Sequence, residues 1–299
     1  MIVKDILAAS FFRAVGSLPL SINHQLGKIA GWSLWASNSE LRRFTEININ
    51  LCYPDQSLAK NHRLVKQSLI ETGVTLFELG AAWTKDPLQL IQRITEVEGE
   101  ELLRDAIKDN KGVMLLAPHL GNWEIAGYFL THFYSMTTMY KPSKLEALDK
   151  MIYKARTQLG LKVVPATNHG VIAIFKCLKQ HGITGILPDQ EPDTSGGVFA
   201  PLFGIEALTP VIASKMLQRT DTVALGFYCL RLPKGKYRLV FKKADPMIYS
   251  KDLLESVTGM NRSIERFIAD APEQYQWEYR RFSKRPNKEP KLYKKNTPA

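Results

Sequence analysis

Five apolar residues in a row, Val113-Met114-Leu115-Leu116-Ala117, follow Lys111-Gly112 near the middle of the chain. A short continuous run behind a turn signal predicts a strand buried on both faces. From there the pattern alternates. Helical spacing over 122–132 leads to a strand at 136–140, a helix at 145–159, a strand at 162–165, a helix at 170–180 and a strand at 183–187. A Gly- and Pro-rich loop follows, then a helix over 209–218, strands over 222–230 and 236–241 joined by Pro233-Lys234-Gly235, and a closing helix over 253–269. Upstream, Leu64, Leu69, Val74, Leu76, Phe77 and Leu79 recur at near-helical spacing, which predicts a helix over 58–83 ended by Asp86-Pro87. The acidic stretch 96–105 begins another helix. Strand–helix alternation of this kind predicts an α/β fold, with a central mixed, largely parallel sheet flanked by helices.

Residues 6–36 are mostly apolar, interrupted by Arg13 and Lys28. The longest uncharged run is 14–27, with Pro19 and His24 inside it, well short of the ~20 apolar residues a spanning helix needs. A signal peptide fits no better: Lys4 is the sole basic residue ahead of the apolar stretch, and no small-x-small site follows a clean core. Phe11, Phe12, Trp32 and Trp35 suit interfacial depth. The expectation is an apolar, membrane-associating helical hairpin lying in one leaflet, with a pair of ordinary core helices as the alternative. The chain then divides into a membrane-associating segment, 1–39, an α/β domain, 40–285, and a basic tail, 286–299.

Composition narrows the class. With 299 residues, 45% of them hydrophobic, the chain can build a large core, which excludes bulk disorder. Its 19 Gly have no period, and Cys52, Cys177 and Cys229 are scattered outside metal-ligand spacing. The thiols are expected to be buried and reduced. The net charge of +11 is concentrated: residues 280–299 hold eight Lys/Arg against Glu289 alone, and 231–243 hold six with no acid. Such density draws acidic partners, whether an anionic lipid surface, a small acidic protein or nucleic acid. Nucleic acid is set aside, since the sequence has no zinc finger, RNP-type aromatic strand or basic heptad region.

Ligands of open α/β sheets gather beyond the carboxyl ends of strands, and Ala117-Pro118-His119-Leu120-Gly121-Asn122-Trp123-Glu124 follows the strongest strand. His119 falls in the turn and Glu124 in the first helical turn. On one straight helix they would lie about 140° apart, so they meet only if the turn folds back. A carboxylate on one imidazole nitrogen fixes the tautomer and leaves the other nitrogen to take a proton from a hydroxyl. The plainer reading is a Glu124 that only complements the helix dipole. Gly121 lets a ligand approach the backbone, and the N–H groups of Gly121 and Asn122 are oxyanion candidates. The sequence contains no HExxH pair, His/Cys cluster, G-x-S-x-G elbow, P-loop or G-x-G-x-x-G. No metal, nucleotide or other cofactor is therefore expected.

The 119–124 segment resembles the H-x4-D/E signature of the lysophospholipid acyltransferase superfamily, and the chain more specifically resembles the bacterial lipid A late acyltransferases, the lauroyl- and myristoyl-transferring enzymes of lipopolysaccharide assembly. Four further blocks carry the resemblance in order. They are Asn50-Leu51-Cys52-Tyr53-Pro54; Tyr140-Lys141-Pro142 with Arg156 and Gly160; Asp189-Gln190 with Gly197, Phe203-Gly204 and Thr209; and Pro272-Glu273-Gln274-Tyr275-Gln276-Trp277 with Arg280-Arg281-Phe282. Lys141 stands where the family often has Arg, and Lys lacks the bidentate fork.

The resemblance implies transfer of a fatty acyl chain from acyl carrier protein to a hydroxyl of a Kdo-bearing lipid A precursor, at the cytoplasmic face of the bacterial inner membrane. It agrees with His119 as general base oriented by Glu124, and adds Arg156, Asp189, Gln190, Lys141, Arg280 and Arg281 to Gly121 and Asn122 as substrate-binding candidates. Asp189 either pairs with Arg156 or holds the acceptor. The segment 196–210 reads as a lid or substrate wall, with Phe199, Leu202, Phe203 and Leu208 as an acyl slot or as core. Two rival readings remain: another membrane glycerophospholipid or glycolipid as acceptor, and a non-enzymatic basic peripheral membrane or nucleic-acid-binding protein.

Overall fold

A computed structural model describes residues 2–293; Lys294 and Lys295 of the basic tail lie outside the described residues. The chain opens with α1 (Ile2–Ser17), α2 (Leu20–Ala36), α3 (Glu40–Cys52), α4 (Leu58–Thr84) and a short α5 (Pro87–Ile91). The alternating part follows: β1 (Ile94–Glu98), α6 (Glu100–Lys108), β2 (Gly112–Leu116), α7 (Trp123–Phe133), β3 (Met136–Tyr140), α8 (Glu146–Thr157), β4 (Lys162–Pro165), α9 (Asn168–Lys179) and β5 (Ile183–Ile186). After it come β6 (Gly197–Leu202), β7 (Ile205–Pro210), α10 (Ile212–Leu217), β8 (Thr222–Leu232), β9 (Lys236–Lys243) and α11 (Leu253–Ile268). Ser39 and Ser57 cap α3 and α4 by accepting the N–H groups of Arg42 and Lys60. Asp86 caps α5 with Pro87 in its first turn, which is why α4 stops where Asp86-Pro87 predicts.

Seven strands form one sheet in the order β1-β9-β8-β2-β5-β3-β4. The run from β8 to β4 is parallel; β9 is antiparallel to β8, and β1 is parallel to β9. The mixed, largely parallel α/β sheet is as the sequence implies. All five residues of β2 are buried, because helices cover both faces. Met114 and Leu116 enter one core with Leu69, Met260 and Phe267, while Val113 and Leu115 enter the other with Leu103, Ile125 and Phe129.

Two elements differ from the sequence reading. The stretch 96–105 is not one helix: β1 pairs with β9 first, and Gly99, at a left-handed φ of 75°, turns the chain into α6. The stretch 196–210 is neither a lid nor the start of a helix. It is a hairpin, β6 against β7, turned at Phe203-Gly204 with both φ positive (51° and 75°). Thr209 and Pro210 close β7, so the helix begins only at Ile212.

At the N-terminus α1 and α2 both pack on α4. Gly27 and Gly31 of α2 face Gly73 of α4 so closely that a Cβ on Gly73 would sit 2.2 Å from the Gly27 carbonyl oxygen. The outward faces carry Val3, Ile6, Leu7 and Phe11 on α1 and Ile22, Leu26, Ile29 and Trp32 on α2, all exposed. Phe12 turns inward against Trp83, and Trp35 is half-buried. Among the described residues no helix is long and apolar enough to cross a membrane. All three cysteines are free, and burial pushes the Cys52 and Cys229 thiols up.

Candidate active site

The site follows from strand register. β2 and β5 are parallel neighbours with Leu116 level with Ile186. Three residues beyond each, His119 and Asp189 meet. Asp189 accepts the His119 backbone N–H at 2.8 Å and its Nδ1 at 2.9 Å. Asp189 is only 2% exposed. Burial works against its charge, but the imidazole and the two His119 N–H bonds outweigh it and hold the carboxyl below the usual carboxylate range. With Nδ1 donating to Asp189, Nε2 is left as an acceptor, and the Gln190 amide nitrogen lies 3.2 Å from it. The His119 carbonyl accepts the Gln276 N–H, and Trp123 packs edge-on against the ring.

His119 and Trp123 line a cleft of about 170 Å³ whose other walls are Thr72, Thr75, Leu76 and Leu79 of α4 and the segment 274–276 with Glu278. Thr72 Oγ1 donates to Glu278 at 3.2 Å, and burial pushes the Glu278 carboxyl up. The sequence reading missed Thr72 and Glu278. They come from distant elements, and no local spacing relates either one to His119.

Glu124 does not serve His119. It is buried at the start of α7, and both its oxygens receive Arg156 of α8, Nη2 at 2.6 Å and Nε at 3.1 Å. The fork geometry is that of a strong bidentate pair. The imidazole already faces Asp189 through the sheet, so Glu124 is left to Arg156, and Asp189 is not Arg156's partner. The Arg156 guanidinium also lies over the Tyr140 ring, 5.7 Å from its centroid. Glu124 and Arg156 border a second cavity of about 140 Å³, walled by Leu115, Ala126, Tyr128, Met136, Leu161 and Phe227 among others. Its walls are largely apolar, as an acyl slot requires, and Trp123 borders both cavities. The hairpin residues proposed for that role lie elsewhere: Leu202 and Leu208 are core, Phe203 packs on Tyr53 and Trp277, and Phe199 is half-buried.

The turn itself is fixed by backbone contact. Gly121 has φ +66°, and a Cβ there would meet the Cys229 carbonyl at 2.0 Å. Its N–H donates to Gln274 O and the Asn122 N–H to Cys229 O. Neither N–H is therefore available as an oxyanion donor, which corrects the sequence reading. Asn122 is buried; its Oδ1 caps α7 through the Ile125 N–H, and its Nδ2 donates to Glu78. Glu78 is the centre of a closed cluster: Oε1 receives His24 and Tyr237, and Oε2 receives Asn122 and Arg231. Arg231 also pairs with Glu71 at 2.7 Å. Burial opposes the Glu78 charge, yet Arg231, His24 and Tyr237 together leave its carboxyl below the usual range.

The remaining basic candidates separate. Lys141 is exposed beyond β3. Arg280 is exposed with its guanidinium over Phe44. Arg281, by contrast, is 4% exposed and pins the hairpin, donating to Leu208 O and to Thr209 Oγ1 at 2.8 Å each. It is a structural cation rather than a lipid contact. Trp277 is buried, with its indole N–H on Pro272 O. Among the described residues no cluster of three His, Cys, Asp or Glu is placed to hold a metal ion.

A buried acid–imidazole pair at the carboxyl end of a central parallel strand, beside an apolar slot, suits transfer to a hydroxyl. Residues 2–284 match the family model of bacterial lipid A biosynthesis acyltransferases. The lipid A biosynthesis palmitoleoyltransferase of Escherichia coli (strain K12) is 28% identical over 248 residues, covering 82% of this chain and 80% of that one. The lipid A biosynthesis lauroyltransferase of the same organism is 27% identical over 281 residues, covering 93% and 91%. Its lipid A biosynthesis myristoyltransferase is 25% identical over 264 residues, covering 85% and 77%. The chain belongs to the bacterial lipid A biosynthesis acyltransferase family and is an acyltransferase.

Proposed function

We propose that the chain moves a fatty acyl group from acyl carrier protein to a hydroxyl of a Kdo-bearing lipid A precursor, at the cytoplasmic face of the bacterial inner membrane. The observation that carries this reading is His119 lining a cleft with its Nδ1 already engaged by buried Asp189. The acceptor hydroxyl displaces the Gln190 amide and gives its proton to Nε2 as its oxygen attacks the thioester carbonyl. Asp189 keeps the tautomer and stabilises the imidazolium. The C–S bond then breaks, and the departing thiolate takes the proton back from the imidazolium. The N–H groups that α7 leaves without intrahelical acceptors, at Trp123 and Glu124, face the role first given to Gly121 and Asn122.

Glu124 acts through Arg156, holding the guanidinium at the mouth of the apolar cavity that takes the acyl chain. Exposed Lys141 and Arg280 suit the acidic carrier or the acceptor headgroup. The exposed apolar faces of α1 and α2 support a membrane-seated segment 1–39 beside a catalytic domain 40–285, with the basic tail 286–299 adding attraction to an anionic surface.

The test is a transfer assay with purified protein, labelled acyl-carrier protein and the lipid A precursor, read by mass spectrometry. A product heavier by one acyl chain, absent with His119→Ala, is expected. No product at any chain length with either carrier protein or coenzyme A thioester, or full activity in a folded His119→Ala variant, contradicts the reading.

A further inference from the structure

A groove of about 660 Å³ lies between α1, the end of α4 and α8, outside the cleft that holds His119. Arg13, Lys85, Lys150 and Lys154 line it. The two carboxylates in the groove are both engaged. Asp5 accepts the N–H groups of Ala147 and Leu148 at the start of α8, and Glu146 pairs with Lys150 at 2.8 Å. Arg13, Lys85 and Lys154 have no ion-pair partner among the described residues. Trp83, on the same wall, leaves its indole N–H without an acceptor.

The charge specifies the occupant. Four cations against two carboxylates leave two positive charges uncompensated, which matches a phosphate monoester at about −2 near neutral pH better than a singly charged diester. The surroundings specify what bears that phosphate. Ile6 and Arg13 are seven residues apart on α1 and share a stripe, so the groove borders the exposed apolar residues Val3, Ile6 and Leu7. An anion seated there has an apolar surface beside it, as an amphiphile requires. The groove is also tied to the reactive cleft. Thr75 lines the cleft and Thr84 the groove, nine residues apart on α4 and so about 14 Å along its axis. On α8, Lys154 faces the groove while Arg156 borders the apolar cavity.

We propose that this groove binds the phosphate monoester of the acceptor lipid through Arg13, Lys85 and Lys154, and so sets which of its hydroxyls reaches His119; the inference rests on the lipid-acylating reading of the site. The full chain in neutral maltoside micelles is titrated with dodecyl phosphate by calorimetry, with phosphatidylglycerol vesicles as competitor. Saturable binding is expected, weakened about tenfold or more in Arg13→Gln/Lys154→Gln and less in Lys85→Gln, with unchanged circular dichroism. In the transfer assay the double variant raises KM for the phosphorylated acceptor and not for one whose phosphate has been removed. Affinity retained to within about twofold in the double variant overturns the proposal. So does equal competition by phosphatidylglycerol, which makes the groove a bilayer anchor. The titration decides the groove even if no acceptor is acylated, so its failure is distinct from failure of the lipid A reading.

Discussion

Two buried carboxylates stand on either side of the turn that carries His119, and they are built for different ends. Glu78 has two partners on each oxygen, His24 and Tyr237 on one, Asn122 and Arg231 on the other. All four are fixed side chains, so the cluster is closed. Asp189 accepts two bonds from His119, and that residue faces a cleft, with a Gln190 amide at its far nitrogen that a hydroxyl can replace. The lesson is that burial and charge pairing alone do not mark a catalytic acid. What marks it is a partner with one functional atom still able to change hands.

Substitutions at these two carboxylates and their partners should separate the two roles, with effects that descend in size. His119→Ala should cut transfer by about 10²- to 10⁴-fold in a chain that still folds with a lowered melting temperature, since the backbone N–H of residue 119 still serves Asp189 but the imidazole that supports its charge is gone. Asp189→Asn keeps the shape but loses the carboxylate that fixes the tautomer, and transfer should fall by about 10²-fold or more. Steady-state rates beside thermal melts check both.

Glu78→Gln should show the opposite profile. Leaving Arg231 with Glu71 as its remaining carboxylate should cost about 3 kcal/mol of stability, read by urea denaturation, while the folded fraction keeps most of its transfer rate. The pH dependence follows the same lines. Glu78 and Asp189 both have depressed carboxyl pKa values in the folded state. Their stabilisation is therefore fully present above the ordinary carboxylate range and is lost as pH falls through and below it. The acid unfolding midpoint should move to higher pH in Glu78→Gln. Smallest of all, Gln190→Ala should change kcat/KM by only a few-fold, about 1 kcal/mol, since its amide is displaced in the reaction.

Much of this was legible in the sequence where the signal is local. The 113–117 run announces β2, and the turn after it announces His119, because a doubly covered strand needs a continuous apolar run. Asp189 and Gln190 were picked out by the resemblance, beyond the end of another strand. Their pairing with His119 was not. β3 and β4 separate β2 from β5 along the chain, but β2 and β5 are neighbours in the sheet, and strand order is a tertiary fact. Arg280 and Arg281 make the same point at shorter range: identical in sequence terms, one is exposed and the other clamps a hairpin. The N-terminal helices show a mixed outcome. Their apolar content was plain, but Gly27 and Gly31 pressed against Gly73 decide which face goes inward and which stays exposed.

The most direct test of the central claim, that the carboxylate serving His119 comes from the end of β5 and not from α7, is the tautomer of His119 by NMR on ¹⁵N-histidine-labelled protein. The account predicts a proton fixed on Nδ1 in the wild type and in Glu124→Gln, and a mixed tautomer in Asp189→Asn. A fixed Nδ1 proton in Asp189→Asn together with a scrambled ring in Glu124→Gln would contradict it.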